Sequence, residues 1–375
     1  MKKISVAEPV IGEKELAYVT DAVKSGWVSS LGPYIQKFED EFAKYIGVKH
    51  ALAVSNGTVG LHLALHSLGI GPGDEVIVPD LTFVATANAV LYTGATPVFI
   101  DIDPLSLCID PSIIENVITT HTKAIMPVHL YGQAADMQSI QKIANEHNLF
   151  IIEDAAEAHG AEFNGKKVGS WGNIGVFSFY GNKVMTTGEG GMVVTNDSQL
   201  ATRMRYLKDH GMSPERRYYH TELAFNYRMT NIQAALGLAQ LEQIDTFIEK
   251  KRLIKHWYNQ NLAGIPNIRL IYELPGTKNI AWLTCLLLES KCPISREKFG
   301  EELLKNGVDW RPFFIPMHQL PYMTGYKKYG KGISDCPISS LISKQGINIP
   351  SGCTLDERTI IEISQIIKEI LTRNS

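Results

Sequence analysis

Along the chain, short apolar runs alternate with longer segments in which apolar residues recur every three or four positions. HALAVS (50–55) is one such run. It ends in Ser-Asn-Gly and opens into TVGLHLALHSLG, which predicts a strand, a glycine turn and a helix. EVIVPD (75–80) leads in the same way into TFVATANAVLYTG. PVFIDID (97–103), KAIMPVHLYG (123–132) and LFIIEDAAEAHG (149–160) continue the series, with helical pieces such as DMQSIQKIANEHN between them. Strands alternating with helices predict βαβ units, a largely parallel sheet and an α/β fold. In such sheets ligand groups gather at the carboxyl ends of the strands. The segments found there, SNGT, PDLTF, VHLYGQ and EDAAEAH, are polar where the strands before them are apolar.

A long helical pattern begins near Thr230. Thr230 and Gln233 match a capping box, and Ile232, Ala235, Leu236 and Ala239 share one face. After about residue 262 the pattern changes, and runs such as IAWLTCLLLES (280–290) and EKFGEELLKNG (297–307) predict a smaller α+β domain. A helix from Thr354 closes it, with Thr354 and Glu357 as a second capping box and Ile360, Ile363, Ile367 and Ile370 as an apolar stripe. Residues 1–245 are therefore expected to form a large domain, and residues 246–375 a small C-terminal one.

Composition supports this division. The 375 residues exceed the roughly 250–300 at which single cores stop growing. Lys and Arg number 36 against 39 Asp and Glu, a net charge of -3, which argues against a nucleic-acid binder built on a bulk basic field. Hydrophobic residues make up 45%, too many for a disordered chain of such low charge. Near the start, Lys2 and Lys3 are followed by Glu8, Glu13 and Glu15, which interrupt any apolar leader. Residues 81–100 carry no formal charge, yet Thr82, Thr86, Asn88, Thr93, Gly94, Thr96 and Pro97 make them a buried helix, a glycine turn and a strand rather than a membrane span. Five cysteines without a C-x-x-C suit a reduced cytoplasm and give neither a zinc site nor a disulfide framework.

Three segments carry candidate chemistry. In GVFSFYGNKVMTTGEGGMVV (175–194), Lys183 stands between two strands in a turn of glycines and hydroxyls. A lysine in a partly desolvated site has a depressed pKa and acts as an amine nucleophile, whereas on a plain hairpin it is a solvated charge. In LFIIEDAAEAHG, Asp154 ends an apolar strand, either as a buried carboxylate facing the cleft or as a helix N-cap. In SNGTVGLH, Gly57 and Thr58 lie where strand turns to helix, the place of an anion site or of an ordinary capped turn. One ligand takes all three. Pyridoxal 5'-phosphate needs an amine for its aldehyde, a carboxylate for its pyridine nitrogen and a cradle for its phosphate. Phe83, after the second strand, is placed to stack on its ring or to join the core.

The chain resembles the nucleotide-sugar aminotransferases of the DegT/DnrJ/EryC1/StrS family, a branch of the fold-type I pyridoxal phosphate enzymes. The resemblance runs from EPVIGEKELAYVTDAVKSGWVSSLGPYIQKFEDEFAKYIGVKHALAVSNGTVGLHLAL through PDLTFVATANAV, FIDID, VHLYGQAADM, IIEDAAEAHGA and FSFYGNKVMTTGEGGMV to KDHGM and NYRMTNIQAALGLAQLE. It implies an aspartate-aminotransferase-like fold. In it Lys183 would bond the cofactor and move a proton between Cα and C4′, and Asp154 would pair with the ring nitrogen. Gly57, Thr58 and Ser178 would bind the phosphate, and Phe83 would stack on the ring. Asn226 would reach the phosphate of the neighbouring subunit's cofactor, which implies a homodimer with shared active sites. Many family members carry Gln where this chain has Glu157 beside the ring. Relatives that are dehydratases carry His at the lysine position, so Lys183 points to transamination with L-glutamate as donor.

FYGNK-V-M-TTGEGGM and RPFFIPMHQLPYM (311–323) are similar to the perosamine synthase branch, which acts at C4 of GDP-4-keto-6-deoxy-D-mannose. Arg311, Phe313 and His318 would then approach the nucleotide-diphospho-ketosugar from the second domain, His318 being otherwise a packed loop histidine. RMRYLKDHGMSPERRYY (203–219), with five basic against two acidic residues, either helps hold a diphosphate or is a solvated helix and loop. Other readings are a UDP- or dTDP-linked acceptor, amination at C3, and a non-catalytic cofactor-binding regulator. A dinucleotide dehydrogenase is disfavoured, because SNGTVG follows the first strand where G-x-G-x-x-G is required. Metal catalysis is disfavoured for want of H-x-x-x-H or an acidic ligand cluster.

Overall fold

A computed structural model describes residues 3–271 and 273–374. Strands β1 (His50–Val54), β2 (Glu75–Pro79), β3 (Thr96–Ile100), β4 (Thr122–Ile125) and β5 (Phe150–Asp154) lie on the predicted apolar runs. Two short strands follow, β6 (Glu162–Phe163) and β7 (Lys166–Lys167). Then β8 (Ile174–Ser178) and β9 (Gly191–Thr195) flank the Lys183 turn. The rest of the chain adds β10 (Ile268–Leu270), β11 (Thr277–Lys278), β12 (Thr284–Leu288), β13 (Arg311–Pro312), β14 (Lys328–Tyr329) and β15 (Gly346–Ile349).

Eight strands form one sheet in the order β1-β9-β8-β5-β4-β2-β3-β14. All run parallel except β9, which is antiparallel to both β1 and β8. Parallel strands of this kind are buried on both faces, and β2 shows it. Val76 and Val78 enter the core beneath the helices Gly57–Ser67 and Ala85–Tyr92, while Ile77 enters the opposite core with Phe38, Phe42 and Ile125. A second, antiparallel sheet has the order β10-β12-β15-β13. It shares a third core with the helices Ile244–Leu262, Arg296–Lys305 and Glu357–Asn374. The helix Ile244–Leu262 passes between cores, with Phe247 and Ile248 in the first and Ile254 and Tyr258 in the third. The strand β14, from the C-terminal part, pairs with β3 at the edge of the large sheet, and β11 pairs with the β6–β7 hairpin.

The uncharged stretch is the helix Ala85–Tyr92 followed by Gly94 at φ +81° and β3. Among the described residues no helix is long and apolar enough to cross a membrane. The Thr230 capping box is present, with Thr230 N–H donating to Gln233 Oε1 at 2.9 Å and Gln233 N–H to Thr230 Oγ1 at 3.3 Å. The last helix differs from expectation. It begins at Glu357, and its cap is Asp356, whose Oδ1 accepts from the Thr359 N–H at 2.9 Å. Leu355 N–H turns back to the Gly352 carbonyl, so Thr354 belongs to a turn before the helix. Ile360, Ile363, Ile367 and Ile370 are buried as their spacing predicts.

Successive side chains of a strand point to opposite faces, so the two carboxylates that end β5 have different roles. Glu153 is 0% exposed and accepts four hydrogen bonds. Three come from the N–H groups of Gly169, Trp171 and Gly172, each at 2.7 Å, and one from His129 Nε2 at 3.0 Å. His129 Nδ1 accepts from the Ala135 N–H at 3.1 Å, which places the ring proton on Nε2. This carboxylate ties the 169–172 loop to the centre of the sheet. Glu153→Leu leaves one buried and two part-buried N–H groups without their acceptor and should destabilise the fold by about 2–3 kcal/mol, read as a lower urea midpoint with an unchanged slope.

Candidate active site

The carboxyl ends of β1, β2, β5 and β8 open on one side of the sheet, and the 178–191 loop crosses there. Its hydroxyls fold it. Thr186 Oγ1 donates to the Phe179 carbonyl at 3.0 Å and accepts from the Gly188 N–H at 2.9 Å. Lys183 N–H donates to the Tyr180 carbonyl at 2.9 Å, which closes a turn that sends the side chain inward. Its Nζ lies 3.3 Å from Glu157 Oε1, with side-chain exposures of 10% for Lys183 and 5% for Glu157. Glu157 Oε2 accepts from the Tyr131 N–H at 2.9 Å.

Asp154 points into the same space. Its Oδ2 accepts from Thr86 Oγ1 at 2.8 Å and its Oδ1 from the Ala156 N–H at 3.2 Å, while Thr82 Oγ1 lies 2.8 Å from Thr86 Oγ1. Burial holds the Lys183 ammonium below its ordinary pKa, against the opposing pull of Glu157 and Asp154. Burial also raises both carboxyl groups, opposed at Asp154 chiefly by Thr86 and at Glu157 chiefly by Lys183. A buried amine with a depressed pKa has a larger neutral, nucleophilic fraction than a surface lysine.

At the end of β1, Asn56 caps the helix Gly57–Ser67 through the Val59 N–H at 3.0 Å. The N–H groups of Gly57 and Thr58 then have no intrahelical partner. A β-carbon on Gly57 would come 2.9 Å from Ser178 Cβ, so the helix start and the end of β8 meet there. Phe83 is 52% exposed, its ring centroid 5.6 Å from that of Phe314.

The structure therefore brings Lys183, Asp154 and Glu157 together, sets Gly57 against Ser178, and leaves the Phe83 ring open. Arg311 is exposed and close enough to lower the Lys183 pKa. Phe313 is 2% exposed, its ring centroid 4.8 Å from that of Tyr131; its neighbour Phe314 is the half-buried ring facing Phe83. His318 is 9% exposed and held by Asp80, with Nδ1 at 2.7 Å from Oδ2 and its N–H at 3.0 Å from Oδ1. Cys336 is near both, and burial holds its thiol protonated. Asn226 is exposed, with its backbone bridged to Asp209. In the 203–219 run, Arg203 pairs with Glu222, and Arg205 and Lys208 pair with Glu39. Arg216 and Arg217 lie over the rings of Tyr219 and Tyr218.

Sequence reasoning missed Thr86, Tyr131, Trp282 and Phe314. Tyr131 has φ +53° and is buried. Its place in VHLYGQ, a polar strand end followed by Gly132, was its visible signal. Trp282, whose ring lies 3.7 Å from Lys183 Nζ, reads in the sequence as one apolar residue of a strand.

Two buried carboxyl groups around one amine leave the pocket short of a positive charge. A protonated pyridine nitrogen beside Asp154 would supply that charge, the Lys183 amine suits an aldehyde, and the free N–H groups at Gly57 and Thr58 suit a phosphate. With the mostly parallel sheet, this defines a pyridoxal-phosphate-dependent transferase of fold type I. The sequence matches the DegT/DnrJ/EryC1/StrS aminotransferase family over residues 9–368. It is 46% identical to the GDP-perosamine synthase of Caulobacter vibrioides, over 99% of both chains. It is 45% identical to that of Vibrio cholerae (97% of this chain, 98% of the relative) and 46% identical to that of Escherichia coli O157:H7 (98% and 99%). The crystal structure of DesI in the presence of its TDP-sugar product superposes with a TM-score of 0.92 at 30% identity, over 100% of this chain and 94% of DesI. The chain belongs to the DegT/DnrJ/EryC1/StrS aminotransferase family.

His159, behind the site, gives a pH signature. It is 0% exposed, and neither ring nitrogen has a hydrogen bond of good geometry. Burial, with a smaller push from Lys183, lowers its pKa from 6.5 to about 3. The unfolded chain therefore binds a proton between these values that the folded chain refuses. His159 costs nothing above pH 6.5, and stability falls as pH drops below it, by up to about 4 kcal/mol near pH 3. His62, lowered to about 4 by burial, acts in the same window. His159→Gln should give a flatter dependence of unfolding free energy on pH between 6.5 and 4 than the unaltered chain.

Proposed function

We propose that this chain transfers the amino group of L-glutamate to C4 of GDP-4-keto-6-deoxy-D-mannose, giving GDP-perosamine. The observation that carries the reading is near-full-length identity of 45–46% to three GDP-perosamine synthases, together with a buried amine at Lys183. Pyridoxal 5'-phosphate, when bound, supplies the electron sink that lets a Cα–H bond break and an amino group be carried. The residues of the chain do the rest. Lys183 Nζ would hold the cofactor and would move the proton at the substrate carbon. Asp154 would keep the ring nitrogen protonated, and Thr86 orients Asp154. Gly57, Thr58 and Ser178 would hold the phosphate, Phe83 would cover the ring, and Glu157 would stand beside it. Arg311, His318 and Phe314 face the acceptor, with Asp80 fixing the His318 ring, whereas Phe313 is buried against Tyr131 and is packing rather than the expected acceptor contact.

The exposed Asn226 suits a role toward a second subunit, and a homodimer with shared sites is part of this reading. So are a cytoplasmic location, in keeping with five free cysteines, and a division into domains at residue 245. The helix Ile244–Leu262 passing from one core to another supports that division, while β14 remains with the large sheet. A TDP-linked acceptor is the second reading, favoured by the likeness to DesI, although at the lower identity of 30%.

Purified protein with bound cofactor should be yellow. It should convert GDP-4-keto-6-deoxy-D-mannose to the 4-amino sugar only when L-glutamate is present, detected by mass spectrometry. Lys183→Ala should lower turnover on the order of 10³-fold or more and lose borohydride trapping of the cofactor. Product from a TDP or UDP ketosugar alone would reject the GDP assignment. Trapping at Lys183 without turnover on any nucleotide ketosugar would favour a cofactor-binding regulator.

A further inference from the structure

Lys183 is covered by a residue from the far half of the chain. Its Nζ lies 3.7 Å from the centroid of the Trp282 ring, inside cation–π range. Trp282 is 3% exposed, and its Nε1–H donates to the Asn182 carbonyl at 2.8 Å. One indole thus touches both the amine and the peptide that carries it. Trp282 is stacked in turn on Tyr131, with centroids 6.2 Å apart and planes at 26°. Tyr131 adopts φ +53°, a conformation a bulky residue keeps only where its surroundings enforce it.

The enforcement is visible at Gly132. A β-carbon there would come 2.7 Å from Ile280 Cγ1 and 3.0 Å from the Trp282 nitrogen, and Ile280 N–H donates to the Gly132 carbonyl at 3.1 Å. The 131–132 corner and the 280–282 segment are therefore interlocked. Two groups that lie against Lys183 Nζ, Glu157 and the Trp282 ring, are both set by that corner. Glu157 is set through the Tyr131 N–H and the indole through the Tyr131 ring.

We propose that Trp282 is a positioning residue that holds Lys183 in the orientation and charge state from which it engages the cofactor. This rests on the reading that Lys183 is the amine bonded to pyridoxal phosphate. A ring face stabilises an ammonium but not a neutral amine, and only the neutral amine adds to an aldehyde, with loss of one water. Trp282 therefore keeps Lys183 protonated until the cofactor arrives and raises the pH at which the amine is freed. The other ionisable groups that bear on Lys183 are Glu157, Asp154, Arg311 and His159, and each keeps its own charge when Trp282 is changed.

The test follows capture of pyridoxal phosphate by the apoenzyme through its visible absorbance across pH, with borohydride trapping and peptide mapping to locate the bond. Trp282→Leu should move the midpoint of the capture rate down by about 0.5–1 pH unit, with trapping still at Lys183. Trp282→Phe, which keeps a ring face but loses the donor to Asn182, should hold the unaltered midpoint and capture the cofactor several-fold more slowly. Should the leucine variant not fold, Trp282→Met, which also lacks a ring face, carries the same expectation. A lower melting temperature with an unmoved midpoint would overturn the proposal, because a purely structural tryptophan behaves that way. Failure of the unaltered protein to trap cofactor at Lys183 would overturn the underlying assignment of the amine, a result separable from the first.

Discussion

Everything around the 178–191 loop serves to keep one amine out of water. Taking an ammonium from solvent costs several kcal/mol even after relaxation, and Lys183 is 10% exposed at its side chain. Glu157 and Asp154 offset part of that cost, but they are buried too, so each needs donors of its own. Glu157 takes the Tyr131 N–H, and Asp154 takes Thr86 Oγ1 and the Ala156 N–H. The balance leaves Lys183 below its ordinary pKa, which favours the nucleophilic, neutral form of the amine. A pocket with two carboxyl groups and one amine also suits a cationic heterocycle, whose charge would favour the ionised form of the carboxyl groups that burial raises.

The topology makes this arrangement possible. A parallel strand pair requires a long crossover, usually a helix, whereas an antiparallel pair is joined by a short loop. The reversal of β9 lets the chain leave β8, cross the carboxyl ends of the sheet and return within a dozen or so residues, with Lys183 midway. Asp154 arrives on β5, between β4 and β8 near the centre of the sheet, and Gly57 arrives at the end of β1. Because Glu153 and Asp154 are adjacent on one strand, the alternation that aims Asp154 into the pocket aims Glu153 into the loop at 169–172. One two-residue sequence therefore provides both a buried carboxyl group facing the pocket and the anchor of the adjoining loop.

The elements with a local cause were legible in the sequence. The apolar runs, the glycine turn at Gly94 and the Thr230–Gln233 capping box all follow from neighbours in the chain. Lys183, Asp154 and Gly57 were legible because motif order places them at strand ends. The cap of the last helix was misplaced because two candidate acceptors, Thr354 and Asp356, lie two residues apart, and the turn from Gly352 to Leu355 decides between them. Trp282, Phe314 and the pairing of β14 with β3 were not legible. Each depends on contacts between residues about a hundred positions or more apart, and an apolar residue in an apolar run carries no local mark of the amine it covers. His318 was visible as a candidate, but only the fold shows that Asp80 claims its ring.

The near-neutral net charge takes on a sharper meaning in the folded chain. With 36 basic against 39 acidic residues, no bulk field draws an anionic ligand, so phosphate groups have to be met by local donors. The obvious basic run is largely spent on internal pairs. Arg203 goes to Glu222, and Arg205 and Lys208 to Glu39, whose Oε1 also accepts from the Ala53 N–H at the base of the site. Arg205 and Lys208 brace β1 through Glu39 and Ala53, so on the proposed reading a phosphate would be met by the uncharged N–H and hydroxyl groups at Gly57, Thr58 and Ser178. Such a cradle would bind an anion without placing another fixed positive charge beside Lys183, where it would lower the pKa of the amine further. The exposed Arg311 is the cation that does bear on Lys183. It comes from β13, in the small sheet on the far side of the pocket, so a charged ligand that engaged Arg311 would also relieve its effect on the amine.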